Sequence, residues 1–231
     1  MLALTAAGLA HVAHAAGPWH DPLLKDEWTV QPVAAAAARA FITTHHYALG
    51  AGRMTSAFGA FHRDCGSLLA VVAFNPPALG WAKHAATGTA CPHQSVLALT
   101  RLTIRPDAPA NISSFLISRA VRQLPERWQI ISTYADEARQ VVGVAYQAAN
   151  FEYQGRSKPR ELWTREGQAV SRKRGARTLN HAQMIDDGCI YQGKAAMHRY
   201  RQLRRTAERE TRRNPATYPK PSLFLVVPDH S

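Results

Sequence analysis

Three stretches of this 231-residue chain carry side chains whose types and spacing could do chemistry. In the first, Arg101 and Arg105 close an apolar run, and Asn111, Ser113 and Ser114 open the next helical pattern. Free N–H groups and the positive end of a helix dipole converge at such a junction, so a phosphate or diphosphate is stabilised there. The three short polar side chains add donors, or cap the helix. The plain alternative is an ordinary capped helix. In the second stretch, Ser132-Thr133-Tyr134-Ala135-Asp136 ends a run rich in β-branched residues. Ligands gather at the carboxyl ends of strands in open α/β sheets. Asp136, followed by Glu137, offers a carboxylate for proton abstraction or for orienting an amine, and the phenol of Tyr146 offers an acid. The alternatives are a helix-capping aspartate and a core tyrosine. The third stretch, His45-His46-Tyr47, leaves an alanine-rich helix. Adjacent imidazoles point to different sides, so at most one faces a pocket, where it could bind Fe or Zn or act as a base. No H-x-x-x-H and no cysteine at ligand spacing supports a closed metal centre. Cys91-Pro92-His93 and His62-Arg63-Asp64-Cys65 are weaker candidates still.

These residues must be held by regular elements. Residues 28–33 read as a strand and 34–43 as a helix, favoured by its alanines. Apolar runs at 57–61 and 67–74 flank Arg63-Asp64-Cys65-Gly66, the pattern of a β-hairpin. A strand over 95–104 ends at Pro106, and Leu116, Ala120 and Leu124 recur at helical spacing after it. A strand over 128–132, a helix over 141–149 and a strand from Phe151 complete the order β-α-ββ-β-α-β-α-β. That order specifies an α/β fold on a central mixed sheet.

Composition narrows the partners. There are 28 Lys+Arg against 16 Asp+Glu, a net charge of +12, and 46% of residues are hydrophobic, enough to build a core. The balance is +3 over residues 1–150 and +9 over residues 151–231. A basic C-terminal third on a nearly balanced body points to a polyanion, with nucleic acid ahead of an acidic membrane face. Three scattered cysteines, Cys65, Cys91 and Cys189, suit a reducing compartment. No membrane span is expected, because the best apolar stretch is broken by Asn75-Pro76-Pro77. The alanine-rich start has no Lys or Arg before Lys25, which argues against a secretory signal. Three regions follow: a loosely ordered leader over 1–26, a catalytic domain over 27–163 and a basic extension over 164–231. In the extension, residues 171–177 read as a Lys- and Arg-bearing loop. Residues 194–213 read as a long helix with Ala196, Tyr200, Leu203 and Ala207 as its apolar stripe, and 220–227 as a final strand.

Seven segments in order carry a resemblance. They are His45-His46-Tyr47, Ser56-Ala57-Phe58-Gly59-Ala60-Phe61, Leu99-Thr100-Arg101-Leu102, Asn111-Ile112-Ser113-Ser114-Phe115-Leu116, Ser132-Thr133-Tyr134-Ala135-Asp136, Gly143-Val144-Ala145-Tyr146-Gln147-Ala148-Ala149-Asn150 and Tyr153-Gln154-Gly155. This series is similar to the Mom DNA-modification proteins of phages, over about residues 40–165. The resemblance implies a divergent GNAT acyltransferase fold, a GNAT-like central mixed sheet flanked by helices, with a basic C-terminal helical extension. It implies an enzyme of the phage-host cytoplasm that converts adenine in double-stranded DNA to its N6-carbamoylmethyl form, protecting that DNA from restriction. Acetyl-CoA and iron are the implied cofactors. Arg101 and Ser114, with Asn111 and Ser113 beside them, would hold the CoA phosphates. His46, Asp136 and Tyr146 would form the reaction centre, with His46 as the iron contact. Two departures stand out: no glycine lies between Arg101 and Ser114, where such folds use one, and Arg139-Gln140-Val141 replaces an expected Gly-His pair. The competing readings are an ordinary GNAT N-acetyltransferase acting on a small-molecule or protein amine, and a DNA-binding protein without catalysis.

Overall fold

The computed structural model describes residues 19–46 and 50–204. Its elements are β1 (Trp28–Pro32), α1 (Ala35–His45), β2 (Ser56–His62), β3 (Leu68–Asn75), α2 (Leu79–Ala86), β4 (Val96–Ile104), α3 (Ile112–Gln123) and β5 (Ile130–Asp136). They continue with α4 (Val144–Ala148), β6 (Glu152–Arg156), β7 (Arg160–Arg165), β8 (Gln168–Val170), β9 (Lys173–Arg174), β10 (Arg177–Thr178), α5 (His181–Asp186), β11 (Ile190–Ala195) and β12 (Met197–Leu203). Seven strands form one mixed sheet in the order β1-β2-β3-β4-β5-β12-β6, and smaller sheets pair β10 with β9 and order β11-β7-β8. The fold is α/β on a central mixed sheet flanked by helices.

The chain divides into two compact units. One holds residues 19–133, 145–152 and 201–204; the other holds 134–144 and 153–200.

In the first unit β3 is the spine. Leu69 to Phe74 are all fully buried, because its neighbours are β2 and β4 and both faces are covered. Ala38 and Ile42 of α1 pack with Ala57, Val71 and Ala73, so small residues let the helix lie close to the sheet. Gly59 in β2 belongs to this close fit: a Cβ there would meet Leu68 Cδ1 at 2.5 Å and Val33 Cγ2 at 2.8 Å. The hairpin expected around Asp64 is the β2–β3 turn, where Gly66 takes φ +68. Helix α3 buries Leu116, Ile117, Ala120 and Val121. Past its end, Arg204 donates to the carbonyls of the C-cap residue Leu124 (3.0 Å) and of Pro125 (2.7 Å) and Trp128 (3.0 Å) in the segment that follows, so a cation sits at the helix C-terminus.

The second unit has its own small core of Trp163, Met184 and Cys189, with Val170 and Leu179 packed against it. Asn180 opens α5 with a reciprocal capping box to Gln183.

Two expectations change. Residues 171–177 are not a loop but contain β9 and the turn into β10. Residues 194–195 and 197–203 are strand rather than the first half of a helix. His198 and Tyr200 are buried while Arg199 and Arg201 alternate with them, and this period of two outweighs the helical spacing of Ala196, Tyr200 and Leu203. The remainder of that expected helix, the strand over 220–227 and most of the leader lie outside the described residues. Helix α2 is an addition. No helix among the described residues is long and apolar enough to cross a membrane.

Candidate active site

The junction between β4 and α3 is built by a break in the sheet's regularity. The register of β3 against β4 slips between Ala73 and Phe74, leaving Thr100 as an extra residue whose hydroxyl donates to the Ala73 carbonyl at 3.2 Å. On its other side β4 runs parallel to β5 for three residue pairs, the last being Ala98 with Ser132. Beyond them the Leu99 carbonyl accepts from the Thr133 hydroxyl (3.0 Å). A parallel pair that stops short leaves the carboxyl half of β4 without a ladder partner there, the situation in which α/β sheets admit ligands.

At the start of α3, Asn111 stands in the left-handed region at φ 70. Asn is one of the few residues that tolerates it, so it supplies the turn that glycine supplies elsewhere. The absence of a glycine between Arg101 and Ser114 therefore does not prevent the turn. The expected side-chain caps are not made. Asn111 makes no capping bond, and the Ser114 hydroxyl instead donates to the Asn111 carbonyl at 3.1 Å. Among the described residues the N–H groups of Ser113 and Ser114 have no acceptor. An uncapped first turn of this kind accepts an anion, so the residues fit a diphosphate.

The arginines are more committed. Arg101 donates from Nε to the Gly50 carbonyl (2.8 Å) and from Nη1 to the Thr100 carbonyl (2.8 Å), fixing the loop that follows residue 49. Arg105 forms a two-pronged pair with Asp107, at 2.9 and 2.6 Å. Both side chains shape the junction, and Arg101 Nη2 makes no hydrogen bond among the described residues.

The residues expected at the reaction centre sit on separate elements. His46 is the residue at the C-terminus of α1, half-buried, its N–H bonded to the Ile42 carbonyl at 2.8 Å. Tyr146 lies on α4, half-buried, its ring 5.9 Å from that of Phe151. Asp136 ends β5. Its Oδ1 accepts from the Ala138 N–H (3.1 Å), capping a single 3-10 turn, and Oδ2 has no bond among the described residues. The capping reading of Asp136 is thus correct, and it leaves one carboxylate oxygen available. For iron the donor set does not fit: the described residues hold no group of three His, Cys, Asp or Glu side chains able to share a metal ion.

A cluster that the sequence does not announce occupies the second unit. Glu137 forms a two-pronged pair with Arg156 (2.5 and 3.2 Å), and its Oε2 also accepts from the Ala196 N–H. Tyr153 and His198, both buried, meet through the phenol oxygen and Nδ1 at 3.1 Å. Tyr200 packs its ring 5.3 Å from Tyr153 and donates its hydroxyl to the Val142 carbonyl. Forty-five residues separate Tyr153 from His198, so no spacing rule finds the pair. The one signal is the alternation of His198 and Tyr200 with arginines.

Hydrogen bonds from Arg156 hold the Glu137 carboxyl below the usual range. Burial pushes the Tyr153 phenol up and the His198 imidazole down, with the nearby Glu137 carboxylate opposing the latter. Both depressed groups bind protons less readily folded than unfolded, so stability falls as pH falls. For His198 the loss begins as pH drops through the unfolded imidazole value of about 6.5, and Glu137 adds its own below about 4.3. Thermal melts from pH 8 to pH 5 are expected to show a falling midpoint, with the slope between pH 6.5 and 5 flatter in His198→Gln. A wild-type midpoint that rises on acidification would contradict this.

Comparison with known proteins places the chain. Solved structures similar to it include a ribosomal-protein-S5-alanine acetyltransferase from Vibrio fischeri, with 7% identity over 78% of this chain and 94% of that one, at a TM-score of 0.46. A spermidine N-acetyltransferase mutant from Vibrio cholerae has 10% identity over 77% and 94%, at a TM-score of 0.43. A mutant agmatine N-acetyltransferase has 14% identity over 78% and 100%, also at 0.43. A search of curated proteins finds no match. A sequence model of the Mom protein family matches residues 27–220, which takes in the uncapped start of α3, Asp136, Tyr146 and the buried His198. The chain therefore belongs to the Mom protein family.

Proposed function

We propose that this protein modifies adenine in double-stranded DNA to its N6-carbamoylmethyl form in the bacterial host cytoplasm, with acetyl-CoA as the donor, and so protects phage DNA from restriction. The observation that carries this reading is the family match over residues 27–220. The open first turn of α3 supports it with a place for a diphosphate. There the N–H groups of Ser113 and Ser114 would donate to phosphate oxygens, Asn111 would shape the approach, and Arg101 would contribute its remaining nitrogen. Bound acetyl-CoA would supply a two-carbon unit as a thioester; joining N6 to its methyl carbon also consumes a two-electron oxidant, and exchanging the thioester for the amide consumes ammonia and releases CoA thiol.

The acceptor sets the demands on the chain's own residues. Adenine N6 is a poor nucleophile, because its lone pair is delocalised into the ring, and it must lose a proton as its new bond forms. Asp136 Oδ2 takes that proton, while Oδ1 stays anchored on Ala138 so that the carboxylate does not swing. The phenol of Tyr146 gives a proton to the CoA sulfur as the thioester is exchanged for the amide, and the imidazole of His46 helps orient the base. In a duplex the adenine must first leave the stack, at a cost of a few kcal/mol that backbone contacts offset. The test is nucleoside mass measurement on DNA from cells expressing the protein. An N6-carbamoylmethyl nucleoside is expected; an N6-acetyl nucleoside, or unmodified DNA from a folded preparation, would overturn the proposal.

A further inference from the structure

The basic run 171–177 contains four cations that do not share one task. Arg172 donates to the Leu179 carbonyl (2.7 Å) and to Glu161 Oε2 (2.7 Å). Arg174 pairs with Asp187 at 3.0 Å and also donates to the Ser171 carbonyl. These two arginines fasten the hairpin β9–β10 to its own unit. Lys173 and Arg177 are exposed and take part in no ion pair among the described residues.

Register decides where the two exposed cations point. Lys173 is paired with Thr178, and Arg174 with Arg177. Directly opposed residues share a face and successive residues alternate, so Lys173 projects from one face of the ribbon and Arg177 from the other. The turn between them is Gly175-Ala176, with φ +59 at Gly175, and it has no bulky side chain at its tip.

We propose that this hairpin enters the major groove of duplex DNA tip-first, with Lys173 and Arg177 reaching phosphates on opposite walls. The proposal rests on the reading that the chain acts on DNA. A flat anionic surface, such as a lipid headgroup layer, is met by cations on one face of a ribbon. A groove has a wall on each side, and the major groove is wide enough to admit a two-stranded ribbon. The two fastened arginines keep the ribbon in its bound shape beforehand, so little ordering cost is added on binding. This is backbone contact, and it positions the protein on DNA without reading sequence.

The test titrates full-length protein against a fluorescent duplex at several salt concentrations. In K173A/R177A, affinity is expected to fall roughly tenfold near physiological salt, and the slope of log affinity against log salt to fall by about 1.8, the share of two phosphate contacts. Each single variant should account for about half of that slope change. Far-ultraviolet circular dichroism and melting establish that the variants are folded. An unchanged slope in the folded double variant overturns the proposal. So does a loss of binding to phosphatidylserine vesicles with duplex binding intact. Modified nucleosides in cells carrying a double variant with wild-type salt dependence would sink the hairpin role and leave the adenine reading standing. If the wild-type protein neither binds duplex nor modifies it, both fall.

Discussion

Asp136→Asn is expected to lower adenine modification by roughly 10²- to 10⁴-fold while leaving the melting temperature nearly unchanged. The magnitude is that of losing a general base. The silence in stability follows from the cap: the amide oxygen of Asn accepts from the Ala138 N–H as the carboxylate does, so only the charge and the second basic oxygen are lost. Asp136→Ala should behave differently. It removes the cap of the turn over Glu137–Arg139 as well, at about 1 kcal/mol. Modified nucleosides per expressed protein, measured alongside melts of both variants, separate the two roles. If Asp136→Asn retains wild-type modification, Asp136 is a cap and nothing more.

Trp163→Ala is expected to cost about 3–5 kcal/mol, the range for truncating a large buried aromatic. Trp163 is 2% exposed, and its partners in the core are few: Met184 and Cys189, with Val170 and Leu179 at the margin. Its ring meets that of His181 edge-on at 4.7 Å and lies tilted 5.1 Å from that of Tyr191, and its indole N–H donates to Glu161. Glu161 is in turn one of the anchors of Arg172. The loss should therefore reach the hairpin. Hydrogen exchange is the decisive measurement: amides of β7, β11 and α5 should lose protection, and those of β3 should lose far less. Uniform loss across both sets would mean that the second unit's core has no stability of its own.

How far the sequence reveals this molecule depends on which force sets each segment. Strands with a strong local signal were legible. The pair β2–β3 has long apolar runs and a turn marked by Asp64 and Gly66, and β4 is closed by Pro106. Helix α3 was legible because Leu116, Ala120 and Leu124 repeat at its period. Helix α2 was not, since it is short, follows Pro76-Pro77 and buries only alanines. Strand β12 failed for the opposite reason. Tyr200 and Leu203, with Ala196 just before the strand, mimic a helical stripe locally, and burial of His198 and Tyr200 decides the outcome. At the candidate site, the junction proposed to hold phosphate was legible as a strand meeting a polar helix start. The left-handed Asn111 was not, because an asparagine in that conformation looks like any other polar residue. The commitment of Arg101 to two carbonyls, and the meeting of Tyr153 with His198, depend on contacts between segments far apart in the chain.

The two compact units are interleaved along the polypeptide, which crosses between them after residues 133, 144, 152 and 200. Neither can be excised as one continuous fragment. Limited proteolysis or a truncated clone ending near residue 133 would deprive the first unit of 145–152 and 201–204, including Arg204 and its bonds to the carbonyls behind α3. Biosynthesis meets the same constraint: as the ribosome releases the chain from its N-terminus, the first unit waits for its last segment until residue 204 has emerged, long after most of its strands have been made.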